Sequence, residues 1–199
     1  METYFKLTQE GMADERVEAM YSDIKTKFNV TFIPDFFKAL AFHESLFAGI
    51  WDGYQKLLVE GTIPKNIKEM IFLTIAIHKG CNYCSSTHLA VCNMLEVSND
   101  NLSSILKNVE DVNPRRVRLI LEFSLSLISN PRSIADETYD DLKAEGITEE
   151  EIVDIIGITI LSNTAVNMAQ SMGLSVEEEI QEYLDQEDLQ TGLRPKIAA

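Results

Sequence analysis

The sequence predicts an all-α fold, a helical bundle in one domain. Three observations predict it. Apolar residues recur at spacings of three and four along most of the chain, which is the signature of helices with one buried face. Proline and glycine fall between these periodic stretches, and serine or threonine precedes glutamate by three residues at two of the expected helix starts, Thr148 with Glu151 and Ser175 with Glu178. No long polar linker divides the 199 residues, so one core of about eight helices could bury about 70% of the extended surface.

The elements follow in order. Asp14 to Phe28 reads as a first amphipathic helix, and residues 1–28 as an N-terminal helical extension. Pro34 disfavours helix at Ile33 and ends that extension. From Asp35 to Leu58 runs an aromatic stripe, Phe36, Phe37, Leu40, Phe47, Ile50, Trp51, Tyr54 and Leu57, read as core with an interruption near His43. Pro64 suits the first turn of the next helix and Gly80 its end. A helix from Cys81 to about Leu95 comes next, then a short one capped by Ser98 and another from Pro114 to Ile128. Thr148 and Glu151 form a capping box, with Ile147 and Ile152 as a hydrophobic staple, for a helix reaching about Met172. Ser175 and Glu178 open an acidic last helix ending near Leu189. The main domain is therefore placed at 29–185, and 186–199 is a tail whose TGLRPKIAA end is expected to fray.

Charge narrows the function. Seventeen basic against thirty-two acidic residues give a net charge of −15, which repels phosphate backbones and anionic membranes. No nucleic-acid or membrane partner is expected. The N-terminal METYFKLTQEGMADERVEAMY lacks a basic start followed by an apolar run, and no uninterrupted apolar stretch reaches the roughly 18 residues that span a bilayer. A cytoplasmic location is expected. Three cysteines without such a leader argue against a disulfide framework.

All three cysteines fall in GCNYCSSTHLAVC, Gly80 to Cys92. On a helix, Cys81, Cys84, His88 and Cys92 share one stripe spread over about 16 Å. That spread defeats a tetrahedral zinc site built from this helix alone, because four ligands must lie about 2.0–2.3 Å from one point. Cys81, Cys84 and His88 would need ligands from elsewhere, with His78 the nearest candidate. No metal or cofactor is therefore expected. Haem attachment fails because Ser85 follows Cys84 where a histidine is required.

A redox pair fits better. Cysteines separated by two residues in a first helical turn can meet the disulfide requirement of about 4.4–6.8 Å between Cα atoms. Cys84 lies near a helix start, where backbone N–H groups favour a thiolate, and His88, one turn on, is within reach to take its proton. An orienting group for His88 must come from another element. Glu69 on the preceding helix is acidic and sits among apolar neighbours, although on propensity alone it reads as a solvent-facing carboxylate paired with Lys65 or Lys68.

Glu69, Cys81-Asn82-Tyr83-Cys84 and His88 at these distances resemble the signature of the AhpD-like alkylhydroperoxidases of the carboxymuconolactone decarboxylase superfamily. IPDFFKALAFHESLFAGIWDGYQKLL, IPKNIKEMIFLTIAIHKGCNYCSSTH and GITEEEIVDIIGITILSNTAVNMAQSMGL resemble its helical segments, so the likeness runs from about Asn29 to Gln181. Length and layout are most similar to members described as peroxidase-related. The resemblance implies an AhpD-like all-α fold and a thiol peroxidase in which Cys84 attacks peroxide, Cys81 resolves the sulfenic acid to a disulfide, and His88 with Glu69 relays the proton. It also implies homo-oligomers and a dithiol reductant, which in some members is a lipoyl-bearing protein. Tyr83 stands where the best-studied branch has histidine. Decarboxylases of the superfamily typically lack the cysteine pair, which favours thiol chemistry; acid–base chemistry at Glu69 and His88, or a redox-sensing role, are the alternatives.

Other residues read more simply. Cys92 is a buried apolar residue, His43 a packed or partly exposed histidine, and His78 a helix-terminal cation beside the site. Arg115, Arg116 and Arg118 are a solvated helix start or an oligomer contact, and Asn163 with Asn167 suggest a buried polar contact.

Overall fold

The computed structural model describes residues 3–192. Most of the expected frayed end, from residue 193 on, lies outside the described residues. The elements are α1 (Glu15–Phe28), α2 (Asp35–Leu40), α3 (Glu44–Gly53) and a π-helical turn (Tyr54–Val59). They continue as α4 (Lys65–His78), α5 (Asn82–Met94), α6 (Asn99–Lys107), α7 (Arg115–Ser129), α8 (Asp136–Ala144), α9 (Glu149–Met172) and α10 (Glu178–Gln186), with two short 3₁₀ turns.

The buried centre is α4. Every residue from Ile67 to Ala76 is buried, so this helix presents apolar side chains all round and packs against α5, α7 and α9. Of the α4 side chains that carry charge, Lys68 and Glu69 are buried as well, at 1% and 3% exposure. Buried charges of this kind require partners. The Lys68 ammonium donates to the Glu60 carbonyl and lies 3.7 Å from Asp154 of α9. Asp154 in turn accepts the backbone N–H groups of Thr62 (2.7 Å) and Ile63 (3.1 Å). This cluster ties the lead-in of α4 to α9. Gly61 passes between the two charges with φ +95°, and a Cβ there would lie 2.6 Å from both the Asp154 carboxylate and the Lys68 ammonium. Gly61→Ala is expected to cost about 3 kcal/mol in chemical denaturation, combining left-handed strain with displacement of a buried ion pair.

Most helix limits follow the local signals. Asp14 caps α1 through the N–H groups of Arg16 and Val17, Ser98 caps α6, and the Thr148–Glu151 capping box is present at α9. The aromatic stripe is interrupted where expected: His43 caps α3, its Nδ1 accepting the Leu46 N–H at 3.2 Å. Two features differ from expectation. Residues 136–144 form α8, whose acidic sequence buries only Leu142 and so shows no apolar period. The last helix begins at Glu178 with Glu177, not Ser175, at its cap, and the Glu177 side chain does not cap its own helix.

The arginines join helices. Arg115 pairs with Asp141 and Glu145, and Arg116 with Glu151, holding α7 against α8 and α9. Asn163 and Asn167 do not bond each other: Asn167 is exposed and accepts from Lys79 at 3.1 Å, whereas Asn163 Oδ1 is buried with no hydrogen bond among the described residues. By length and composition α9 would suit a bilayer, yet 50% of its apolar window is buried in the bundle.

Candidate active site

The site lies where α4, α5 and α10 meet α2. Gly80, with φ +65°, makes the turn from α4 to α5 and leaves Cys81 as the N-cap of α5. The Cys81 sulfur accepts the Cys84 N–H at 3.3 Å, and the two sulfurs are 2.9 Å apart and not joined as a disulfide. The pair is thus assembled by one helical turn and needs no movement of the fold to oxidise. Cys92 is fully buried two turns further along, as its apolar reading requires.

Its electrostatics depart from the simple helix-start expectation. The Cys84 thiol is pushed well above the usual thiol range, first by its contact with the Cys81 sulfur and then by burial, while a backbone N–H pulls the other way. Cys84 at rest therefore holds its proton, and an accepting base becomes necessary. The sign for stability follows: the unfolded thiol ionises first, so this group favours folding below the ordinary thiol range and loses that contribution as pH rises beyond it. Alkylation of Cys84 by iodoacetamide is expected to rise through a midpoint above that of free cysteine under the same conditions; a midpoint below it would contradict this assignment.

His88 is held by α4. His88 Nδ1 lies 2.7 Å from Glu69 Oε2, and the ring stacks on Phe72 at 4.3 Å between centroids. With the carboxylate ionised, Nδ1–H donates to Glu69 and Nε2 is the accepting nitrogen. Glu69 is therefore not the solvent-facing partner of Lys65 or Lys68. Lys68 is engaged with Asp154, and Lys65 lies over the Phe28 ring. The histidines outside this pair are exposed, His78 at the end of α4 and His43 at the start of α3.

Cys84, His88, Glu69 and Tyr83 line one cavity of about 330 Å³. Cys81 is not among its lining residues, so Cys84 is the cysteine that faces it. The walls are largely apolar, and Phe28, Phe32, Phe36, Phe37, Tyr54 and Phe72 contribute rings to them. Three residues of the stripe that reads as core in the sequence, Phe36, Phe37 and Tyr54, thus also line a chamber. Tyr54, at the start of the π-helical turn, is buried beside Cys84 and Glu69, and that burial foremost raises its phenol pKa. Such turns occur often at functional sites because they redirect a side chain within a helix.

A second polar group completes the chamber. The Tyr83 hydroxyl accepts the Phe36 N–H at 3.1 Å and donates to Glu177 Oε1 at 2.7 Å. Glu177 Oε1 also accepts the Asp35 N–H at 2.8 Å. Pro34 offers α2 no capping side chain, so Tyr83 and Glu177 satisfy its first two N–H groups instead. Tyr83→Phe is expected to cost about 1–3 kcal/mol in thermal or chemical unfolding, since it leaves the Phe36 N–H and a buried carboxyl short of a partner.

Comparison with known proteins agrees with this geometry. Residues 45–113 match the carboxymuconolactone decarboxylase family, and that segment contains Glu69, Cys81, Cys84 and His88. Over that segment the chain is similar to the carboxymuconolactone decarboxylase family. Among curated proteins none matches it by sequence. Its fold is that of an alkylhydroperoxidase AhpD core protein, described as peroxidase-related, from Ralstonia eutropha JMP134. The two share 21% identity over 92% of this chain and 95% of that one, with a TM-score of 0.82. A peroxidase-related protein from Silicibacter sp. TM1040 is similar at 20% identity, 89% and 93% coverage and TM-score 0.79. A cysteine-to-alanine variant of the debrominase Bmp8, solved with 2,3,4-tribromopyrrole, matches at 16% identity, 93% and 99% coverage and TM-score 0.73.

Proposed function

We propose that this protein is a thiol peroxidase that reduces an organic hydroperoxide through a Cys84/Cys81 dithiol–disulfide cycle. The observation that carries the reading is the placement of Cys84 in an aromatic-walled cavity with the His88–Glu69 pair, the Cys81 sulfur lying 2.9 Å from it. His88 Nε2 takes the Cys84 proton, and the thiolate attacks the distal peroxide oxygen. The S–O bond forms as the O–O bond breaks, leaving an alcohol and a Cys84 sulfenic acid. Cys81 then attacks the Cys84 sulfur, forming the disulfide and releasing water. Two electrons from a dithiol restore the pair, and a lipoyl-bearing protein is a reductant of suitable chemistry. A chamber of this size and lining suits a bulky apolar substituent better than hydrogen peroxide.

Steady-state turnover with dihydrolipoamide tests the proposal. Cumene hydroperoxide is expected to be consumed one for one with dithiol, and faster than hydrogen peroxide. Consumption no faster than that by dihydrolipoamide alone would overturn the reading.

The likeness to Bmp8, together with the aromatic walls, supports a second reaction for the same sulfurs, reductive dehalogenation. Cys84 would accept a halogen from a ring, Cys81 would displace halide to give the disulfide, and the ring would take a proton. Bromide release from 2,3,4-tribromopyrrole in the presence of dithiol measures it. Self-association is also proposed, supported by the exposed Val153 and Ile160 on the outer side of α9.

A further inference from the structure

Glu177 has no part in the relay just described, yet it lines the same cavity as Cys84. Its side chain is 7% exposed and its position is fixed by Asp35 and Tyr83, both bound to Oε1. The other oxygen, Oε2, is buried and makes no hydrogen bond among the described residues. A buried carboxyl oxygen with no partner costs free energy comparable to a lost hydrogen bond, so a group held this way points to a ligand that completes it. Because Oε1 already receives two hydrogen bonds, a proton on Glu177 resides on Oε2. Burial, opposed by the hydrogen bonds from Asp35 and Tyr83, pushes the carboxyl above its usual range and favours that protonated form.

We propose that Glu177 is a catalytic acid, its Oε2–H donating to the departing oxygen of the hydroperoxide as Cys84 attacks. This rests on the peroxidase reading. In the balanced step, His88 holds the Cys84 proton and the new S–O bond takes the distal oxygen. The electron pair of the broken O–O bond leaves on the alkoxide, which receives the Glu177 proton and departs as alcohol. The proton on His88 then returns to Glu177 through solvent. The division of labour matches the geometry, since His88 and Glu69 pair across α5 and α4 whereas Glu177 enters from the cap of α10. An alkoxide is a poor leaving group, so proton donation at this oxygen is where a second acid has most effect.

Glu177→Gln in the full chain tests the proposal, because the amide retains an acceptor for Asp35 and Tyr83 but cannot transfer a proton. Single-turnover oxidation of the reduced protein would be followed with two oxidants. Cumene hydroperoxide leaves as an alkoxide and needs the acid; peracetic acid leaves as acetate and does not. The expected result is a loss of about 100-fold with cumene hydroperoxide and a peracetic acid rate within about threefold of the parent. Equal losses with both oxidants would make Glu177 a structural residue, and no loss with either would remove it from the mechanism; each overturns the proposal. A parent protein that reduces neither oxidant overturns the peroxidase reading itself, an outcome separate from the other two.

Discussion

Replacing Cys84 by serine is expected to abolish peroxide reduction, lowering the single-turnover rate with cumene hydroperoxide by at least about 10³-fold. The oxygen is isosteric enough to preserve the helix start, so the melting temperature should move little. No other thiol can substitute: Cys81 lies off the cavity and Cys92 is fully buried. Cys81→Ser should behave differently, still reacting once with peroxide but stopping at a Cys84 sulfenic acid that a dimedone-type reagent can trap. Stopped-flow oxidation and mass spectrometry of the trapped adduct separate the two. A Cys84→Ser protein that oxidised as fast as its parent would remove the nucleophile from the account.

The second large effect is expected at Glu69. Glu69→Gln can still meet the His88 ring but cannot hold the donating tautomer or balance the imidazolium that forms when His88 accepts a proton. A fall of about 10²–10⁴-fold in the rate of Cys84 oxidation is expected, by analogy with loss of the orienting carboxylate in other nucleophile–base pairs. Folding should be nearly unaffected in that variant. Glu69→Ala, in contrast, leaves the Nδ1 group of a largely buried ring without a partner and should also lower stability by about 1–3 kcal/mol. Comparing the two by thermal unfolding and single-turnover kinetics separates orientation from structural support. If the glutamine variant retained full rate, the relay through His88 would need a different orienting group.

How much of this was legible in the sequence depends on the range of the interaction. Helix starts at Asp14, Ser98 and Thr148 are local, each decided by a side chain bonding its own first turn, and the sequence carries them. The dithiol is local too, three positions on one helix. The partner of His88 needed packing: Glu69 is nineteen residues away, and only the close contact of α4 with α5 distinguishes it from a surface carboxylate. Glu177 shows the limit. Its neighbour pattern suggested a capping box from Ser175, but burial against α5 and α2 draws the carboxylate to Tyr83, ninety-four positions away, and the helix begins later. The aromatic residues from Phe36 to Tyr54 were legible as apolar, though apolarity alone does not distinguish a filled core from the wall of a cavity.

The central claim is a peroxide-driven disulfide between Cys81 and Cys84. Intact mass and peptide mapping of the reduced protein, before and after one equivalent of cumene hydroperoxide, test it most directly. The account predicts loss of two hydrogens within the mixing time, localised to a peptide that joins Cys81 to Cys84, with Cys92 unchanged. An unchanged mass, or oxidation that spreads over the cysteines at the rate of free thiols, would contradict it.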